Sequence, residues 1–184
     1  MNREKTIKNL KNVFAMGYIP ARKGQTYKFK TQKGYYTYDL VNCLGHACFN
    51  LRNETINQYG FDLDLLYACQ GYFTYFKSLE GMAESMFNFV ESVGLKVEKA
   101  QSKFLKKNEW QVALYFNTDS IDGDYHFLLR ENALCWTSKM STEENIAKYL
   151  SPPKVFSGSY DLYDIYTISN PHFHKSNKTF SREI

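Results

Sequence analysis

A chain of 184 residues with 43% apolar side chains is long enough to bury one full core. Its net charge of +4, from 23 Lys+Arg against 19 Asp+Glu, is too small to imply nucleic acid on its own. No stretch approaches the ~18 consecutive apolar residues of a membrane-spanning helix, so no membrane partner is expected.

No Pro/Gly/Ser linker divides the chain, which points to a single domain over residues 1–170 followed by a polar tail, 171–184. The cysteines, Cys43, Cys48, Cys69 and Cys135, are too few for a disulfide scaffold of this length. The start Met-Asn-Arg-Glu-Lys opens an amphipathic pattern and not a secretory signal, so reduced thiols and a cytoplasmic location are expected. Basic residues gather in the first 33 positions, where Glu4 is the one acidic residue, while 61–98 is mostly acidic. A basic amino-terminal region fits an acidic or nucleic-acid partner, and fits equally a solvated lysine surface.

In chain order, Ile7, Leu10, Val13 and Phe14 recur at helical spacing within residues 4–15, with Gly17 as the stop. Residues 26–41 read as strand broken at Lys33-Gly34, and helix is expected from Cys43 to about Asn57. A second apolar helix spans roughly 63–76. A third opens near Ser78 and presents Met82, Met86, Phe89, Val90 and Val93 on one face before Gly94. Val97 and Phe104-Leu105 read as extended, and Trp110–Phe116 as a central strand. After the turn-rich loop 117–124, Tyr125–Leu129 and Leu134–Thr137 form a hairpin around Arg130-Glu131-Asn132. Residues 142–150 read as a short helix ended by Ser151-Pro152-Pro153, and 160–168 as a last strand. Helices first and antiparallel strands after them make an α+β fold.

The most informative run is Asn42-Cys43-Leu44-Gly45-His46-Ala47. It sets a thiol just after a strong capping residue, at the positive end of a helix, where the thiolate is favoured. Such a thiol needs a base. His172 and His174 fall in the tail, and His46 points along the helix and not back over Cys43, which leaves His126. An imidazole in reach takes the thiol proton and later protonates a leaving group. The backbone N–H of Cys43 is the simplest oxyanion donor, with the Tyr38 hydroxyl as a side-chain addition. No metal or other cofactor site is expected: Cys43, His46 and Cys48 do not share one helix face, and no Cys-x-x-Cys completes a zinc site.

The segments Asn42-Cys43-Leu44-Gly45-His46-Ala47, Asp124-Tyr125-His126-Phe127-Leu128 and Trp136-Thr137-Ser138-Lys139 together resemble a group of bacterial and phage proteins related to papain-like cysteine hydrolases. Their pattern runs Asn-Cys-Tyr-x-Tyr-Ala-Leu, then Asp-Tyr/Trp-His-Phe-Tyr-Arg, then Trp-Ser-His-Lys. The resemblance implies a papain-like domain in which Cys43 is the nucleophile and His126 the base. Leu44 and His46 stand where the family has tyrosines, and Ser138 where it has a histidine. Ser138 thus becomes one candidate to orient the imidazole, beside Asp124, Asn132 and Asp161.

The leading expectation is a cysteine-dependent hydrolase or acyl transferase acting on a peptide, isopeptide or amide bond of a protein or peptide substrate. In that case Cys43 should alkylate ahead of the other thiols. Against it stands the reading of Cys43 as a small buried apolar residue and of Cys48, Cys69 and Cys135 as core. The alternative function is a non-enzymatic phage or mobile-element inhibitor that binds a host protein or nucleoprotein. Its binding face would be the run Tyr27 to Tyr38, where aromatics alternate with Lys28, Lys30 and Lys33.

Overall fold

The stripe of Ile7, Leu10, Val13 and Phe14 winds into helix α1, Arg3–Ala15, with the last three fully buried. The computed structural model describes residues 3–19, 28–31, 34–37, 43–49, 78–117, 124–139 and 146–173. Gly17 ends α1 in the left-handed region at φ 81°, and its N–H closes on the Phe14 carbonyl at 2.9 Å. A Cβ there would also meet the His172 carbonyl oxygen at 3.0 Å, so the position excludes side chains twice over.

Strands β1, Lys28–Thr31, and β2, Gly34–Thr37, form the expected hairpin, Lys28 pairing Thr37 and Thr31 pairing Gly34. Cys43 and Leu44 open a helical segment that widens into a π-helix, π1, over Gly45–Phe49. The remainder of that expected helix and the helix expected at 63–76 lie outside the described residues. Helix α2, Leu79–Ser92, is capped by Ser78, whose hydroxyl accepts the Gly81 N–H at 3.1 Å. Its inward face is the one read from spacing, and Gly94 at φ 96° closes it.

The main sheet is antiparallel. Its strands are β3 (Lys96–Lys99), β4 (Glu109–Asn117), β5 (Asp124–Asn132), β6 (Cys135–Lys139), β7 (Ile146–Tyr149), β8 (Val155–Phe156) and β9 (Tyr160–Ser169). They run β3-β9-β4-β5-β6-β7, with β8 on the outer side of the start of β9. The fold is α+β and dominated by its sheet. Among the described residues no helix is long and apolar enough to cross a membrane.

Both faces of the sheet are covered, so β4 reads as continuous burial instead of alternation. On one face, Leu10, Phe14, Leu44, Phe49, Met86 and Val90 of the helices pack on Val112, Leu114, Phe127, Leu129 and Ile168. On the other, Ala113, Tyr115, Leu128, Trp136 and Phe156 form a smaller cluster.

Three expectations are corrected. Residues 146–149 are strand and not helix: they pair with β6 from Lys139↔Ile146 to Trp136↔Tyr149, and covering that edge outweighs a weak local preference. The β5–β6 turn falls at Ala133-Leu134, later than expected, because the Asn132 side chain accepts the Leu134 N–H at 2.9 Å and so supplies the turn chemistry itself. Phe104 and Leu105 lie in an irregular loop, with Phe104 91% exposed. β8, only two residues long, carried no readable signal.

Residues 171–173, assigned above to the tail, close against α1 through Asn170. Its side-chain amide donates to the carbonyls of Phe14 at 2.9 Å and Tyr18 at 2.8 Å, and its carbonyl oxygen accepts the His172 N–H at 2.9 Å. Asn170 is wholly buried. Asn170→Ala therefore removes three hydrogen bonds made by a buried side chain, and is expected to lower unfolding free energy by about 2–4 kcal/mol. Urea unfolding checks this. A change below 0.5 kcal/mol (on the order of an ordinary surface substitution) would show that the amide does not tie the chain ends together.

Candidate active site around Cys43 and His126

Polar residues in a doubly buried sheet must find partners, and Thr137 and Ser138 of β6 do so through the two histidines His46 and His126. Among the described residues β5 pairs with β6 from Leu128↔Ser138 to Asn132↔Cys135, and the segment Tyr125–Phe127 precedes that pairing. The thiol of Cys43 stands against that segment. Its sulfur lies 4.0 Å from the Tyr125 carbonyl oxygen and accepts the Phe127 N–H. The thiol thus touches the backbone on either side of His126, while strand alternation sends the His126 ring to the smaller cluster.

There the ring stacks on Phe156, centroids 4.3 Å apart and 8° from parallel, and meets Tyr160 edge-on at 6.1 Å. Its Nε2 is 2.7 Å from the Ser138 hydroxyl oxygen. Among the described residues its Nδ1 makes no hydrogen bond, and no hydrogen bond joins the ring to the thiol.

The other candidates divide clearly. Asp124 is occupied: one carboxylate oxygen accepts the Tyr160 hydroxyl at 2.5 Å and the other the Tyr125 N–H at 2.8 Å. Its charge still favours protonated His126. Asn132 is at the far end of β5, on the order of 20 Å along the strand, and serves the turn. Asp161 sits on β9, beyond β4 from His126. Of the four, Ser138 is the one the fold sets against the ring. Tyr38 and Asn42 lie outside the described residues.

Burial governs the electrostatics. Cys43 is 7% and His126 4% exposed. Loss of solvent pushes the thiol pKa up to about 12, the Asp124 charge adding to it, although the N–H groups of Phe127, Leu44 and Cys43 work the other way. The same desolvation takes His126 down to about 4. At neutral pH the pair therefore rests as thiol and neutral imidazole, and the expected preformed thiolate is corrected: the amides at the helix start do not offset the lost water.

Helix direction points His46 away from the thiol, yet it is a buried part of the same assembly. Its Nε2 lies 3.1 Å from the Thr137 hydroxyl oxygen, and that hydroxyl donates to the Leu129 carbonyl at 3.4 Å, so His46 is the N–H donor. Burial first, then the charges of Lys139 and His126, depress its pKa to about 3. One visible signal was the polar triplet Thr137-Ser138-Lys139 on a strand buried along its length. Cys48 is core as read, whereas Cys135 is only half-buried. Among the described residues no cluster of three His, Cys, Asp or Glu could hold a metal ion.

Two predictions follow from this burial. In the unfolded chain both histidines bind protons near pH 6.5, and in the folded chain not until about pH 4 and about pH 3. Unfolding then takes up protons as pH falls through that window, so stability is present above it and lost on acidification, on the order of 3 kcal/mol per histidine by pH 4. Urea midpoints from pH 7 to pH 4 should fall, and His46→Gln should flatten the slope; an unchanged slope in the variant would mean that His46 titrates normally. Iodoacetamide at pH 7 should modify half-buried Cys135 before Cys43, by peptide mass spectrometry, and the reverse order would disprove the protonated, enclosed thiol. Compared with known proteins, the chain matches no family model, no curated protein and no solved structure significantly.

Proposed function

We propose that the protein is a papain-like cysteine hydrolase or acyl transferase that cleaves or transfers a peptide, isopeptide or amide acyl group. The supporting observation is the arrangement about His126: Ser138 holds Nε2, Nδ1 makes no hydrogen bond among the described residues, and the Cys43 sulfur contacts the backbone immediately before and after that residue. A thiol at a helix start beside a histidine on an antiparallel strand is the order that the resemblance to papain-like hydrolases implies.

The chemistry this arrangement suits is general-base attack, not attack by a standing ion pair. As the sulfur approaches the acyl carbon, its proton passes to Nδ1. Nε2–H donates to Ser138, which steadies the imidazolium without neutralising it. The proton then returns to the leaving amine, and water releases the acyl group from sulfur with the same imidazole as base.

A peptide vinyl sulfone tests this reading, since its capture requires both the thiol and the base. Labelling should fall on Cys43, and His126→Ala should slow it about 100-fold. Its rate should rise as His126 loses its proton near pH 4 and stay level through neutrality, because the imidazole must be free to accept and the thiol keeps its proton to about pH 12. A fall in rate from pH 5 to pH 8, or indifference to His126→Ala, would overturn the reading.

The closed, uncoupled state of the pair favours a second reading: a binding protein that keeps this fold without the chemistry and meets an acidic partner through its basic aromatic hairpin. Here Cys43→Ala leaves biological activity whole, and charge reversal at Lys28, Lys30 and Lys33 abolishes it. The opposite pattern rules the binder out.

A further inference from the structure

Two neighbouring residues of β6 hold the two buried histidines. Thr137 meets His46 at 3.1 Å and Ser138 meets His126 at 2.7 Å. Being adjacent on a strand, Thr137 and Ser138 project to opposite faces of the sheet. His46 belongs to the turn begun by Cys43, and π1 packs on β5 and β6. The thiol is therefore attached to β6 through His46 on the helical face, and the imidazole is attached to β6 through Ser138 on the other.

We propose that His46 is a positioning residue whose bond to Thr137 fixes the Cys43 sulfur relative to the His126 ring. The inference rests on the hydrolase reading above and adds to it a residue that touches neither substrate nor reacting atoms. Three features converge. His46 is buried, so its bond is shielded from competing water. Its partner hydroxyl is itself anchored to the Leu129 carbonyl, and its carbon neighbours, Leu44 and Ala47, are fully buried against the sheet. The segment after Cys43 is a single π-helical turn, a rare conformation that interrupts the regular α ladder, and His46 is a side chain of that turn bonded across to β6. A displacement of about 1 Å between nucleophile and base costs on the order of 100-fold in rate.

The experiment is a double-mutant cycle on the full chain, read by peptide vinyl sulfone labelling of Cys43. With His46 intact, His126→Ala should slow labelling about 100-fold. In a His46→Leu background, His126→Ala should slow it less than about tenfold, because thiol and base are already out of register. His46→Gln, which keeps an N–H donor near the same place, should restore the full effect. Thr137→Val removes the acceptor with little change of shape and should behave as His46→Leu does, which covers the case where His46→Leu fails to fold.

A purely structural His46 predicts otherwise: melting temperature falls in His46→Leu and Thr137→Val, but His126→Ala still costs the full factor in both. That result overturns the positioning role and leaves the hydrolase reading standing. Indifference to His126→Ala in the otherwise unaltered chain defeats the hydrolase reading, and this inference with it.

Discussion

The Cys43 thiol is held by the backbone on either side of His126, and the site depends on that contact. β4 stays paired with β5 down to Asp124, and among the described residues the β5–β6 pairing runs from Leu128↔Ser138 to Asn132↔Cys135. Beside the start of β5 the Cys43 sulfur takes the Phe127 N–H and lies against the Tyr125 carbonyl. Without that contact the thiol has no reason to stand beside His126.

Seating a thiol against buried backbone also sets the chemistry. A residue placed to satisfy backbone is removed from water, and the same enclosure that seats Cys43 raises its pKa and lowers those of His126 and His46. The Phe156 ring stacked on the imidazole and the Tyr160 ring edge-on to it reinforce that enclosure. Structure and reactivity pull in opposite directions here: the packing that orders the pair keeps both members neutral.

Much of this was legible in the residues. Apolar spacing fixed α1 and α2 because each has a single buried stripe, and Trp110–Phe116 was read as central because continuous burial needs continuous apolar chain. Cys43, His126 and Ser138 stand out in the residues; the fold sets Ser138 against the His126 ring and Cys43 against the backbone beside it, with no hydrogen bond between thiol and ring among the described residues. What escaped was long-range. That Ile146–Tyr149 would pair with β6 depends on an edge created elsewhere, and its local pattern favours helix equally. His46 was dismissed on helical direction, which says where a side chain points but not that Thr137, 91 positions away, waits there. Phe156 lies on a strand too short to have a period. Local patterns report local structure, and the polar contacts here join segments far apart in the chain.

The position of β9 has a consequence for how the molecule comes into being. Translated last among the strands, it lies between β3 and β4, so the sheet has no continuous hydrogen-bond ladder until its final segment arrives. A nascent chain that has reached Tyr149 holds β4 with one bare, strongly apolar edge, the kind that recruits strands from neighbouring molecules. Synthesis is thus a race between insertion of the carboxyl-terminal strand and aggregation, and because β9 pairs with β3 and β4 across long sequence separations, closure is intrinsically slow. A cell making much of this protein would need to shield that edge in the interval.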